Sequence, residues 1–177
     1  MRWTEGKLNG ARGLSVYFQV WQPETAPKAV LLIVHGAGEH SARYQPLARY
    51  CTARDYAVAK LDHPGHGKSE GHYGHIQRIV DLLGTMDIFQ RQLSVEFADV
   101  PIFLVGHSMG GLVSCLNLLK HQRDFAGCVL SGPAIKTEVE PGWLQMLLIR
   151  CLSVVVPRAG VLQLDASGVS RDPAVVA

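Results

Sequence analysis

Ser108 is the residue on which a reaction can be built. It stands in Gly106-His-Ser-Met-Gly-Gly111, directly after the apolar run 102–105 and directly before a helical pattern over Met109–His121. A strand that turns sharply into a helix holds a serine at its apex in a strained backbone conformation. Gly106 and Gly110 let neighbouring chain come close because they lack a Cβ. The hydroxyl then stands clear of the sheet at the positive end of the helix dipole, where negative charge developing on an attacked carbonyl is favoured. The chemistry implied is nucleophilic attack by Ser108 on an acyl carbonyl. A small-residue turn with an idle serine would carry the same short pattern, and the strand before and helix after it are what favour the nucleophile.

Two further loops lie at the ends of apolar runs. The first, His35-Gly-Ala-Gly-Glu-His-Ser-Ala-Arg43, follows Ala29-Val-Leu-Leu-Ile-Val34. Its backbone N–H groups could supply half of an oxyanion hole, and the alternative is a phosphate-binding turn. The glycine spacing there, with no Lys-Ser/Thr pair, is weak evidence for a nucleotide. The second loop, Asp62-His-Pro-Gly-His-Gly-Lys-Ser-Glu-Gly71, follows Tyr56-Ala-Val-Ala-Lys-Leu61. His63, His66, His72 and His75 invite a metal reading, but no cysteine or paired carboxylate joins them, which favours a glycine-rich loop.

These loops need elements to hold them. Residues 14–21 place Leu14, Val16, Phe18 and Val20 on one face, the alternation of a strand with one buried side, and Gly6, Gly10 and Gly13 predict a hairpin before it. Pro23 and Pro27 then break the chain. The continuous apolar runs at 29–34 and 56–61, with 127–131 as a further buried strand, read as parallel strands covered on both faces. Between them, 44–53 has helical spacing with Leu47 and Cys51 on one face, and 79–97 carries Ile79, Leu82, Leu83, Met86, Phe89 and Leu93 on another. Strand and helix alternate four times from residue 29, which predicts a mostly parallel α/β sheet with helices on both faces. The alternation stops at Ile135. The stretch 143–156 is a very apolar helix candidate, either an ordinary core-facing helix or a lid over an acyl pocket that touches a membrane surface. The final residues, 164–177, read as loop.

Composition narrows the classes. The 177 residues are 47% hydrophobic, and 17 basic against 15 acidic side chains give a net charge of +2 with no basic cluster, so nothing points to nucleic acid. Mean hydropathy is +0.11. The start, Met-Arg-Trp-Thr-Glu-Gly-Lys, has no apolar signal-peptide core, so a cytoplasmic location is the expectation. No apolar run reaches the length of about 18 residues that a membrane-spanning helix needs. Cys51, Cys115, Cys128 and Cys151 are widely spaced in apolar surroundings and read as buried free thiols.

With the three glycine-rich blocks, Leu130-Ser-Gly-Pro133 and Ser170-Arg-Asp-Pro173 in place, the sequence resembles the monoacylglycerol lipase and lysophospholipase branch of the α/β-hydrolases. The resemblance implies a serine ester hydrolase with Ser108 as nucleophile and the backbone N–H groups of Ala37 and Met109 as oxyanion hole. Glu39 and Arg43 would help orient a glycerol head group. It implies a lipid ester substrate and no metal or organic cofactor, with residues 1–134 as core and 135–177 as the start of a helical cap. Acyltransferases and thioesterases are compatible with the same scaffold, since fold does not fix the acceptor.

One departure is large. In this fold the catalytic acid and then the histidine follow the serine in the chain. After Ser108 the only histidine is His121, about 20 Å along the same helix at the usual rise per residue. The family's Asp and His have no matching positions, so the chain reads as the amino-terminal portion of such a hydrolase. The competing expectation is a non-catalytic lipid-binding or interaction module.

Overall fold

A computed structural model of the protein describes residues 1–136 together with Gly142 and Trp143. The chain divides into two compact units, Met1–Glu138 and Val139–Ala177. Of the apolar stretch 143–156 only the exposed Trp143 is described, so the cap expectation, like Cys151 and the 170–173 block, lies outside the described residues.

The first unit is built on a six-stranded mixed sheet. Its strands are β1 (Arg2–Asn9), β2 (Ser15–Gln22), β3 (Ala29–Val34), β4 (Tyr56–Leu61), β5 (Ile102–His107) and β6 (Gly127–Ser131), in the spatial order β1-β2-β4-β3-β5-β6. The predicted hairpin forms, with β1 antiparallel to β2 from Arg2↔Gln22 to Asn9↔Ser15. β2 is antiparallel to β4, and β4, β3, β5 and β6 run parallel. Three helices connect them: α1 (Gln45–Thr52), α2 (Ile79–Glu96) and α3 (Met109–His121).

The order explains where a site can form. From β3 the chain crosses to β4 on one side, then passes back over β3 to β5 on the other. The loops leaving β3 and β5 therefore diverge, and the crevice outside the carboxyl ends of such strands is where ligands bind in open α/β sheets. α1 covers one face, packing Ala48 and Cys51 against Trp21, Ile33 and Val58. The opposite face carries the larger core, in which α2 contributes Leu82, Met86, Phe89 and Leu93 and α3 contributes Val113 against Val30, Leu32, Ala59 and Leu104. β3 is buried on both sides, as its unbroken apolar run predicts.

Four local expectations change. β2 is not one-sided: Tyr17, Gln19 and Trp21 are buried as well as Val16 and Val20, because β1 and β4 flank the strand and α1 covers its second face. Leu47 is 38% exposed, and α1 instead buries Ala48, Cys51 and Thr52, the threonine hydroxyl donating to the Ala48 carbonyl at 2.6 Å. β6 forms with the expected bounds, yet Val129 is 59% exposed, since among the described residues the strand pairs only with β5 at the sheet edge. The described cysteines are free, but only Cys51 is buried; Cys115 and Cys128 are partly exposed.

Lys60 was not legible as special. It sits inside β4 with no exposure, its Nζ has no hydrogen-bond partner among the described residues, and it lies 5.2 Å from the Trp21 ring centre. Burial pulls its pKa down from 10.5 to about 8, the Asp62 charge opposing that fall. The folded chain therefore binds this proton more weakly than the unfolded chain, and the penalty is full below about pH 8 and fades toward 10.5. Lys60→Met is expected to raise unfolding free energy by about 1–3 kcal/mol at pH 7. Urea denaturation at pH 7 and pH 10 checks it: the gain should shrink at the higher pH.

Candidate active site

The turn at Ser108 has the geometry its sequence predicts. Ser108 adopts φ 51°, ψ −119°, in the positive-φ region that a non-glycine residue enters only under strain. Three contacts hold it there. The Ser108 N–H donates to the Ser131 carbonyl at 3.0 Å, and the Ser108 carbonyl accepts from Gly111 at 2.9 Å and from Ala134 at 3.0 Å. The loop leaving β6 thus braces the elbow. The glycines around it are sterically obligatory: a Cβ on Gly110 would lie 2.0 Å from the Val34 carbonyl oxygen, and one on Gly106 would lie 2.7 Å from the Gly110 carbonyl oxygen.

The first glycine loop comes to the serine. A methyl group added to Gly36 would sit 3.2 Å from the Ser108 Cβ and 3.4 Å from the His107 carbonyl oxygen. Among the described residues no hydrogen-bond acceptor faces the N–H of Ala37 or of Met109, and Met109 opens α3 beside the serine. Among the described residues nothing hydrogen-bonds the Ser108 hydroxyl.

Glu39 ties this loop down. One of its carboxylate oxygens accepts from the Gly36 N–H at 3.0 Å and from the Tyr44 hydroxyl at 2.8 Å, while the other meets Arg43 at 2.9 Å. Burial alone would raise its pKa, but the Gly36 amide, Tyr44 and Arg43 together hold the carboxyl below its ordinary range. Glu39 and Arg43 are therefore joined to each other, and both Glu39 oxygens are engaged within the loop.

Residues that the sequence reading did not single out hold the second loop against the first. Asp62, at the end of β4, accepts from the Ser41 N–H at 2.6 Å and from the Lys68 N–H at 2.8 Å. The signal for it was available: an aspartate at a strand end followed by glycines, of which Gly67 has φ 51° and leaves no room for a Cβ beside the Asp62 carboxylate. Beneath lie His35, His63 and His66, all buried, with ring centres 4.4–6.4 Å apart. His35 donates from Nδ1 to the Gly36 carbonyl at 2.8 Å and accepts the His63 N–H on Nε2 at 2.9 Å, so it joins both loops. His72 is exposed, and its ring makes no contact with this cluster among the described residues. Among the described residues no group of His, Cys, Asp and Glu side chains could hold a metal ion.

Burial lowers the His35 pKa from 6.5 to about 4, and it lowers that of His63 further below the ordinary value. The unfolded chain therefore binds more protons in this window. The stability that neutral His35 contributes is full above about pH 6.5 and is lost as pH falls toward about 4. We expect unfolding free energy to drop by about 2 kcal/mol between pH 6.5 and 4.5 from His35 alone. Denaturation midpoints across that range, with a flat profile as the contrary result, check it.

The profile of the serine aminopeptidase S33 family matches residues 25–177. The monoglyceride lipase of Mus musculus is 37% identical over 96% of this chain and 56% of its own length. The chain belongs to the monoglyceride-lipase-like α/β-hydrolases. The monoacylglycerol lipase of Mycolicibacterium smegmatis is 33% identical over 98% of this chain and 62% of its own length. Among solved structures, the Paleococcus ferrophilus monoacylglycerol lipase superposes with a TM-score of 0.71 at 28% identity, covering 99% of this chain and 61% of that one. The chain thus spans somewhat more than half the length of these relatives.

Within this α/β-hydrolase frame, His121 lies at the opposite end of α3 from Ser108. It sits at the end of α3, with Nε2 3.6 Å from Asp87 and Nδ1 3.5 Å from Asp124. The structure brings the Ser108 turn and the Gly36–Arg43 loop together, and no described histidine hydrogen-bonds the Ser108 hydroxyl. Nor is any described helix long and apolar enough to cross a membrane.

Proposed function

We propose that this chain carries the nucleophile half of a serine ester hydrolase for monoacylglycerols or lysophospholipids. Ser108 Oγ attacks the acyl carbonyl, the N–H groups of Ala37 and Met109 receive the oxyanion, the alcohol leaves, and water releases the fatty acid from the acyl-enzyme. The observation that carries the reading is the strained, braced Ser108 at the start of α3, with the Gly36 loop against it. Arg43, partly exposed beside Glu39, would face the polar head group. The apolar stretch 143–156 would serve as cap and meet the lipid surface.

The proton acceptor is the missing element. A histidine, oriented by an acid, must come from sequence other than these 177 residues, and without it the chain alone turns over little substrate, since triad members act as a unit. The test is a fluorophosphonate probe and a monoacylglycerol assay, applied to this chain and to a chimera in which the carboxyl-terminal part of the Mus musculus monoglyceride lipase follows residue 177. Labelling and hydrolysis by the chimera, with neither in the chain alone, are the expected results. A folded chimera that fails to label refutes the nucleophile assignment. Robust turnover by the chain alone refutes the need for an added base and favours a different mechanism.

A further inference from the structure

The loop that leaves β3 presents the Ala37 N–H, and the backbone just before it is anchored on both sides. Gly36, Ala37, Gly38 and Glu39 form a turn in which the Glu39 N–H donates to the Gly36 carbonyl at 3.4 Å and Gly38 takes φ 69°. His35 donates to the same carbonyl from Nδ1 at 2.8 Å. A carbonyl only accepts, so Nδ1 carries the proton. The Gly36 N–H donates in turn to a Glu39 carboxylate oxygen at 3.0 Å. Glu39 thus takes part in both anchors of Gly36, once through its main chain and once through its side chain.

This sets the direction of the neighbouring donor. The Gly36 carbonyl and the Ala37 N–H share one trans peptide plane and point in opposite directions. Flipping the plane would break the bonds from both His35 and Glu39. Gly36 is buried and Ala37 is exposed, so the tethered residue lies inside and the residue with the free donor outside. A donor held in advance costs no reorganisation when an oxyanion forms, which is where most of its catalytic value lies.

Tyr44 completes the hold. Its hydroxyl donates at 2.8 Å to the same Glu39 oxygen that receives Gly36, and its ring packs on the cluster that includes Trp21, Ile33 and Val58. The hydroxyl is therefore fixed by the core of the α1 face. The three donors around the Glu39 carboxylate, from Gly36, Tyr44 and Arg43, all belong to the chain itself, and the side chain is only 10% exposed.

We infer that Glu39 and Tyr44 are positioning residues for the reaction at Ser108: they hold the Gly36–Ala37 peptide so that the Ala37 N–H meets the oxyanion, and they do not recognise the alcohol part of the substrate. This rests on the nucleophile reading of Ser108, so one measurement depends on turnover and the other does not. In the chimera, kcat and KM are compared on a monoacylglycerol and on the p-nitrophenyl ester of the same fatty acid, which has no glycerol. Tyr44→Phe keeps the ring and removes one hydrogen bond to a charged group, so kcat should fall about tenfold on both esters, with KM within about twofold. Glu39→Ala should cost about 100-fold in kcat on both, close to the loss of one oxyanion donor. Glu39→Gln, which keeps an oxygen for the Gly36 N–H, should recover part of it. A loss confined to the monoacylglycerol, a loss carried by KM alone, or an unchanged kcat would overturn the inference.

In the 177-residue chain, amide hydrogen exchange followed by NMR reads the hold directly. Glu39→Ala and Glu39→Gln should separate: the alanine variant should expose the Gly36 N–H to exchange by about tenfold or more, the glutamine variant by less. Unchanged protection of Gly36 in Glu39→Ala would overturn the inference whatever the kinetics. A chimera that fails to label with the fluorophosphonate refutes the Ser108 reading instead, and the exchange rates then decide the hold by themselves.

Discussion

In the chimera described above, Ser108→Ala is expected to lower monoacylglycerol turnover by about 10⁴–10⁶-fold, leaving what the oxyanion donors and substrate binding supply on their own. Ser108→Gly should lose as much activity. The two variants part on stability. Alanine at φ 51°, ψ −119° keeps the strain that the serine bears, whereas glycine occupies that region freely. The glycine variant should therefore be more stable than the parent by about 1 kcal/mol, after its larger unfolded-state entropy is set against relief of strain. Turnover together with urea denaturation reads both effects. A merely structural Ser108 would leave turnover near normal in both variants, while the gain with glycine, set by the backbone, would remain.

Gly110→Ala is expected to be the most damaging single change in the turn. A Cβ there lies 2.0 Å from the Val34 oxygen and 2.5 Å from the His35 oxygen, backbone atoms that cannot swing aside as a side-chain end can. Relief requires α3 to move away from the carboxyl end of β3, which would separate Ser108 from the Gly36 loop. We expect a loss of about 4 kcal/mol or more, the range reserved for overpacking against fixed structure. A circular-dichroism melt checks this, with Gly38→Ala as the comparison. Gly38 also has positive φ, at 69°, but nothing lies within 4 Å of its would-be Cβ, so its loss should be limited to backbone strain of about 1 kcal/mol. Equal losses at the two positions would show that contact with β3 does not set the effect.

The approach of Gly110 to Val34 also shows how far a linear reading reaches. The glycines near Ser108 predict that something comes close, but they do not say what. Only the parallel pairing of β3 with β5, from Val30↔Ile102 to Val34↔Gly106, puts the end of one strand beside the start of the helix that follows the other. The histidines of the second loop are a sharper case. As a list they invite a metal reading that the absence of a cysteine or paired carboxylate disfavours. In space His63 and His66 turn inward to join His35 in a buried cluster, while His72 stays on the surface.

The sequence by itself determined the local pieces: the strand–turn–helix around Ser108, the alternation of apolar runs with helical patterns, and the antiparallel hairpin. These depend on residue type and short spacing, and their physics is local. The tertiary structure decided which pieces meet. It gave β2 a second buried face, left β6 at an edge, engaged Glu39 in holding its own loop, and set Asp62 and His35 as the ties between loops more than 20 residues apart. Such contacts depend on strand order and register, which no single stretch of sequence carries. For the Ser108 turn the two levels agree, because an elbow is strained locally and can persist only where β6 and the Gly36 loop close around it.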